Sequence, residues 1–339
     1  VSEEKADQFH TLRSLMERPD VTELVNACDA GREGELIFRL VYEAAGCSKP
    51  FSRLWISSME DAAIREGFSD LRPGGDYDPL YQSALCRQKA DWLIGINASR
   101  LFSVLYHRTL NVGRVQTPTL AMLVDREVKI MNFEKEQYYM AHILMDGIDA
   151  MTERIDDKAR AESIAAACES QSGVVRSVIK ENKSVAPPKL YDLTTLQRDA
   201  NRIFGFTAKQ TLEYTQSLYE KKLVTYPRTD SQYLSDDMEE TAKAVIGAVY
   251  QAILFEEQTG AEPDIKRVLN SKKVTDHHAI IPTIEITKTD LSAVPEGEMK
   301  ILSLVANRLL CATGKKQLYE TVKAEFSCGG YSFHVSGKT

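Results

Sequence analysis

Four short stretches of this 339-residue chain hold residue types that can do chemistry. The first is Asp29-Ala30-Gly31-Arg32-Glu33-Gly34-Glu35, with three carboxylates in seven residues. Hard cations such as Mg²⁺ take carboxylate oxygens and often share a substrate phosphate, and the glycines allow close backbone approach. A purely structural role is the alternative, with Asp29 capping a helix and Glu33 and Glu35 complementing its dipole. The second is Lys222-Leu223-Val224-Thr225-Tyr226-Pro227-Arg228-Thr229-Asp230-Ser231. A tyrosine hydroxyl is a poor nucleophile unaided. An arginine two residues on can stabilise phenolate and phosphate charge alike. The alternative is an aromatic at a strand end, followed by a turn. The third, Thr275-Asp276-His277-His278-Ala279-Ile280-Ile281-Pro282-Thr283, holds two of the six histidines. On a strand they would point to opposite faces, so one would serve a site as phosphate donor or proton carrier and the other would not. The fourth is Asn111-Val112-Gly113-Arg114-Val115-Gln116-Thr117-Pro118-Thr119, where Arg114 can hold a phosphate and Gln116 a sugar or base edge. It also reads as a loop with a helix start at Pro118.

The elements that must position these residues are legible in part. Residues 23–29 read as a strand entering the acidic turn, 36–42 as a helix stopped by Gly46, and 51–57 as a second strand. Strand, turn, helix, strand is an α/β signature. Apolar residues at helical spacing (Leu85, Trp92, Leu93, Ile96, Leu101, Leu105) predict a helix over about 80–106, after a loop at 72–76. Residues 138–144, 173–179, 321–326 and 331–335 read as strands, the last two forming a hairpin across Gly329-Gly330. Between them lies a helical block that opens at Pro187-Pro188. In it Thr194 is expected to cap one helix, Gly205 to stop it, and Thr207 to cap a second reaching about Lys222. Two helices joined in this way are equally a helix-turn-helix or an ordinary helical hairpin.

Composition narrows the class. Hydrophobic residues are 43% and charged residues 27% of the chain, values typical of globular proteins rather than disordered ones. No run of 18 apolar residues is present, so no helical membrane span is expected. The polar, acidic start is not expected to be a signal peptide. Six cysteines without a CxxC pair argue against a zinc site and fit a reducing cytosol. A net charge of −7 argues, taken whole, against a nucleic-acid partner. Locally it does not. Residues 87–129 hold seven Lys/Arg against three Asp/Glu, and 180–231 hold nine against six, leaving −14 for the rest. The basic excess lies where Arg114 and Tyr226 lie.

The four stretches, in this order, resemble type IA DNA topoisomerases, most closely the bacterial topoisomerase III branch. Tyr226-Pro227-Arg228-Thr229-Asp230-Ser231 looks like that family's tyrosine motif, preceded by Leu218-Tyr219-Glu220. Asp29 to Glu33 resembles its Toprim acidic motif. Gly113 to Pro118 and His277 to Thr283 match two further signatures. The resemblance implies ATP-independent cleavage of one DNA strand through a 5′-phosphotyrosine link, strand passage and resealing, which relaxes negatively supercoiled DNA or decatenates it. No GxxxxGK[ST] nucleotide loop is present, which agrees with this. It implies Tyr226 as nucleophile, Arg228 stabilising phosphoryl charge, Glu33 near the leaving 3′ oxygen, and His277 and Glu220 in the catalytic set. Asp29 and Glu33 would hold Mg²⁺. Arg87, Asp91, Asn111, Val112, Gly113, Arg114, Val115, Gln116, Gln216, Thr225, Arg228, Thr229, Asp230 and His277 would contact single-stranded DNA.

The implied fold is multidomain, α/β plus α+β, part of a toroidal core. It comprises a partial Toprim domain (1–103), a helical DNA-binding segment (104–137), a split β domain (138–186 and 318–339) and a winged-helix-like insert carrying the tyrosine (187–317). A cytoplasmic, nucleoid-associated monomer without a nucleotide cofactor is expected. The sequence departs from the family's Asp-x-Asp-x-Glu pattern at Gly31. It also lacks a Glu-bearing strand before Asp29, so a fragment with little cleavage activity of its own is expected. The competing readings are a non-catalytic helix-turn-helix DNA-binding module, and a Toprim nuclease or primase indifferent to Tyr226.

Overall fold

The computed structural model describes residues 2–56, 61–253, 262–274 and 276–339. Ser57, at the expected end of the second strand, and Thr275 lie outside them. In chain order the elements are α1 (Ala6–Glu17), β1 (Leu24–Asn26), α2 (Arg32–Ala45), β2 (Phe51–Arg53), α3 (Asp61–Ser69), β3 (Arg72–Pro73), α4 (Asp78–Leu105), α5 (Gln116–Met131), β4 (His142–Met145), β5 (Ile148–Met151), α6 (Lys158–Cys168), β6 (Val174–Val185), α7 (Leu193–Phe204), α8 (Ala208–Glu220), α9 (Glu239–Ala252), α10 (Glu296–Ala312), β7 (Gln317–Cys328) and β8 (Tyr331–Lys338). They fall into two bodies, residues 1–117 with 188–315, and residues 118–187 with 316–339.

In the first body β1 and β2 are parallel, with Leu24 opposite Phe51, and α2 makes the crossover between them. Gly46 ends α2 in the left-handed conformation (φ 67°) that glycine adopts without strain. Both strands are shorter than their apolar runs suggest. The carbonyls of Cys28 and Asp29 do not continue the ladder because both accept hydrogen bonds from the Arg53 guanidinium. The expected loop at 72–76 holds β3, paired antiparallel to β2, and a turn of 3₁₀ helix. The long helix forms as expected, but past half-buried Leu85 its apolar stripe faces outward: Trp92 is 61% and Leu105 61% exposed.

The other half of this body has the larger core, in which Leu196, Leu218, Leu223, Ile280, Ile281, Ile301 and Leu309 are fully or almost fully buried. Helix α7 is capped by Asp192, not Thr194. Its carboxylate accepts from the backbone N–H of Thr195 at 2.6 Å and from the Thr195 hydroxyl at 2.7 Å. An aspartate at the N-cap also complements the helix dipole, which threonine cannot do. Asp192→Ala is therefore expected to lower stability by about 1 kcal/mol and Thr194→Ala to change it little, as thermal denaturation would measure. Gly205 (φ 72°) ends α7 and Thr207 opens α8 with a reciprocal capping box to Gln210. Beside these helices stand isolated bridges, Tyr191–Ile280 and Val224–Pro282, rather than long strands among the described residues.

The second body is a five-stranded antiparallel sheet in the order β4-β5-β8-β7-β6, with α6 against it. Ala150, Ile164, Phe326 and Phe333 form its core. β6 and β7 pair from Val174–Ser327 to Val185–Gln317, so the chain leaves and re-enters this sheet at neighbouring strand ends. Among the described residues no helix is long and apolar enough to cross a membrane.

Candidate active site

Tyr226 lies on a loop that follows α8. The helix ends with Lys222 in the left-handed conformation (φ 62°), and the N–H groups of Lys222 and Leu223 return to the carbonyls of Tyr219 and Leu218. Buried Leu223 and Val224 anchor the next turn. The loop is then laced to the 277–283 segment. Thr225 N–H donates to the Ile281 carbonyl at 2.9 Å, its hydroxyl to the Ala279 carbonyl at 3.1 Å, and the Thr229 hydroxyl to the His277 carbonyl at 2.9 Å. Ala279, Ile280 and Ile281 are core residues, so the apolar part of this signature is a foundation on which His277 is held.

The Tyr226 ring sits between two others. His277 is 4.3 Å away between centroids, and Tyr219 is 5.4 Å away in an edge-on arrangement. His277 Nε2 lies 3.5 Å from Asp29 Oδ2, so the acidic turn meets the tyrosine loop here. Together they border a cavity of about 470 Å³ lined by Asp29, Tyr219, Lys222, Tyr226, Asp276 and His277, among others. Both histidines border it. Residues 276 and 277 form a bend and 278 is irregular rather than strand, so the expected opposition of the two histidine side chains does not hold. Arg228, Thr229 and Asp230 line an adjoining recess with Asp276 and His277. Burial pushes the Tyr226 hydroxyl above the usual tyrosine range and the Asp29 carboxylate adds to this, while Arg228 opposes it. Partial burial likewise raises Asp276, assisted by Asp230 and Asp29 and opposed by His277 and Arg32.

The acidic turn is set by a buried charge cluster. Glu35, Arg53 and Asn26 are all fully buried. Glu35 receives a hydrogen bond from Asn26 Nδ2 (2.9 Å) and from Arg39 Nε (2.9 Å), and lies 3.1 Å from Arg53 Nε, which forms no well-aligned hydrogen bond of its own. Arg53 Nη1 reaches the carbonyls of Asn26 (2.9 Å) and Cys28 (2.7 Å), and Nη2 that of Asp29. Glu35 is thus a structural member of the acidic stretch. Asp29 and Glu33 remain exposed.

Of the remaining expected site residues, Glu33 pairs with Arg87 at 3.0 Å and does not line the cavity. Arg114 pairs with Asp91 at 2.7 Å, and Gln116 folds back to the Asn111 carbonyl at 3.0 Å. Ser99 on α4 receives the Val112 N–H, and Gly113 N–H donates to Thr117. Val115 sits in the same short segment and is 64% exposed. Gln216 donates to Glu220 at 3.0 Å on α8; neither borders the cavity. The sequence reading assigned no role to Tyr219, Lys222 or Asp276, all of which border it. All three stood within the quoted stretches, but nothing in their type or spacing singled them out.

Comparison with known proteins was consistent. The sequence signature described as DNA topoisomerase matches residues 76–339. The chain is 42% identical over 348 residues to DNA topoisomerase 3 of Bacillus licheniformis, covering 98% of this chain and 47% of that protein. It is 42% identical over 347 residues to DNA topoisomerase 3 of Bacillus subtilis, with the same coverages. It thus spans about half the length of these relatives. Full-length topoisomerase I from Thermotoga maritima superposes on all of this chain and 56% of its own, with a TM-score of 0.75 and 25% identity.

Proposed function

The chain belongs to the DNA topoisomerase family, in the type IA, topoisomerase III-like branch that its motifs resemble, and from that premise we propose that it carries the strand-cleaving site of an ATP-independent topoisomerase. In this reading the Tyr226 oxygen attacks a backbone phosphorus. The new Tyr–O–P bond forms as the P–O3′ bond breaks, and the phenolic proton ends on the leaving 3′ oxygen. The phosphodiester energy is kept in the 5′-phosphotyrosine, so the reverse attack reseals the strand without a nucleotide. The observation that carries the reading is the meeting of Tyr226, His277 and Asp29 at one cavity, 4.3 Å between rings and 3.5 Å from imidazole to carboxylate.

Arg228 stabilises charge on the phosphoryl group as it transfers. His277 orients the phosphate beside Thr225 on the tyrosine loop, and Gln216 and Glu220 on α8 contact the strand from outside the cavity. Glu33, held by Arg87, takes the side of the leaving oxygen. Arg87, Asp91 and residues 111–116 hold the single-stranded arm, with Thr229 and Asp230 near the scissile bond. The donor chemistry at the acidic turn fits Mg²⁺. The ion commonly uses one or two carboxylates, waters and a substrate phosphate. Asp29 is the first of these carboxylates, and a bound Mg²⁺ would supply positive charge beside the phosphate. The same reading has the protein acting as a monomer on cytoplasmic, nucleoid DNA, relaxing negative supercoils or separating catenanes. A non-catalytic helix-turn-helix module is not favoured, because the family match spans residues 76–339 and the relatives 98% of the chain, not the helix pair alone.

The test uses the complete gene product. A single-stranded oligonucleotide labelled 3′ of the cleavage site is incubated with Mg²⁺ and quenched in detergent, and the labelled peptide is sequenced. The expected result is label on the peptide containing Tyr226. Salt-sensitive DNA binding with no adduct, or label on another residue, would overturn the reading.

A further inference from the structure

The second body holds two cysteines in contact. Cys168 is the last residue of α6 and Cys328 the last of β7, 160 positions further along the chain. Each thiol lies against the other residue's carbonyl. Cys168 Sγ is 3.2 Å from the Cys328 oxygen, and Cys328 Sγ is 3.8 Å from the Cys168 oxygen. This reciprocal contact sets the two residues face to face, as a disulfide requires. The neighbouring turn admits the approach. Gly329 is in the left-handed conformation (φ 57°), and a Cβ there would lie 2.6 Å from the Ala167 carbonyl oxygen and 3.1 Å from Cys168 Sγ. Both backbone angle and space therefore call for glycine where the β7–β8 turn presses on the end of α6. Cys328 is 3% exposed and packs in the sheet core with Phe326 and Phe333. Cys168 is only half-buried, so an oxidant reaches it first.

We propose that Cys168 and Cys328, both thiols in this structure, are an oxidation site at which hydrogen peroxide forms a reversible disulfide between α6 and β7. The Cys168 sulfur attacks one peroxide oxygen. The O–O bond breaks, the sulfur becomes a sulfenic acid and water leaves. The Cys328 sulfur then attacks the Cys168 sulfur. The S–S bond forms as the S–O bond breaks, and a second water leaves. Two equivalents of a small thiol reverse the link by exchange and become a disulfide themselves. Burial, assisted by Cys328, pushes the Cys168 thiol up to about 11. The thiolate is the attacking form, so oxidation is slow near neutral pH and quickens as pH rises. The link pins the helix to the sheet and closes a long loop in the unfolded chain, which stabilises the folded body.

The test uses the complete gene product. It is treated with hydrogen peroxide at pH 7 and pH 9, alkylated with iodoacetamide and digested, and the peptides are weighed with and without reductant. The expected result is one linked pair containing Cys168 and Cys328, two hydrogens lighter than the separate peptides, lost on reduction and formed faster at pH 9. The melting midpoint of the sheet body should rise by about 5 °C or more. Cys168→Ser should abolish that rise, and Cys86→Ser with Cys311→Ser, which removes the two exposed thiols, should leave it intact. Alkylation of both Cys168 and Cys328 after peroxide treatment would overturn the proposal, as would their separate oxidation to sulfinic acids without a link. The readout needs no DNA and no reaction at Tyr226, so this inference and the topoisomerase reading fail independently.

Discussion

Arg53→Met is expected to lower the stability of the α/β half by about 3–5 kcal/mol, the usual cost of removing one partner from a buried ion pair, and to release the acidic turn. The guanidinium is wholly inaccessible, faces Glu35 at 3.1 Å and reaches the carbonyls of Asn26, Cys28 and Asp29. Burial pulls its pKa down and Glu35 opposes this, yet an arginine stays charged in either case. Removal strands Glu35 with Arg39 and Asn26 and leaves the carbonyls of Cys28 and Asp29 without their donor. Trp55 reports on the site, because the Arg53 guanidinium lies 5.1 Å from its ring, which in turn stacks on Tyr77. With Trp92 replaced by Phe, urea denaturation followed by Trp55 fluorescence would read this half alone. Arg53→Lys separates charge from geometry. It restores a cation beside Glu35 but cannot form the fork to the carbonyls, so the turn is expected to remain loose. An unchanged midpoint in Arg53→Met would show that the cluster does not hold the turn.

This cluster also marks the limit of what the sequence reveals. The α2 segment, its glycine stop, the N-cap at Thr207 and the hairpin across Gly329-Gly330 were legible because each rests on local rules: apolar period, a left-handed glycine, a capping hydroxyl, a two-glycine turn. Tyr226, Arg228, Asp29 and His277 were legible as motif residues. Arg53 was not, since a charged residue ending a short strand has no local signature of burial. Its role depends on Glu35, which looked like one more member of an acidic turn. Asp276 was passed over for a similar reason. It stood in the third stretch without a role, because its place on the cavity beside Asp29 depends on the fold and not on its neighbours in the chain. The α4 stripe shows the converse. Its period marked a helix correctly, but period cannot say what covers an apolar face, and Trp92 is exposed.

Tyr226→Phe is expected to abolish covalent DNA attachment at every pH and metal concentration, with DNA affinity nearly kept. The variant removes one oxygen and leaves the ring contacts with Tyr219 and His277 intact, so loss of attachment cannot be assigned to collapse of the cavity. The pH dependence of the parent follows from the state of the same oxygen. Burial and the Asp29 carboxylate hold its pKa above the ordinary value of 10. Near neutral pH the protonated phenol is therefore the form that must lose its proton to attack. A raised pKa means that the folded protein retains the proton, so attachment should quicken as pH rises from 7 to 9 rather than plateau there. The charge of Arg228 pulls in the other direction, favouring phenolate. Arg228→Gln removes that support together with its stabilisation of the phosphoryl group, and should slow attachment by about 10²–10³-fold, as losing one preorganised donor at a transferring group does. Quenched time courses with the labelled oligonucleotide at pH 7, 8 and 9 measure both effects. A residual adduct in Tyr226→Phe would move the nucleophile elsewhere, and a flat pH profile would mean that proton removal from Tyr226 does not limit the step.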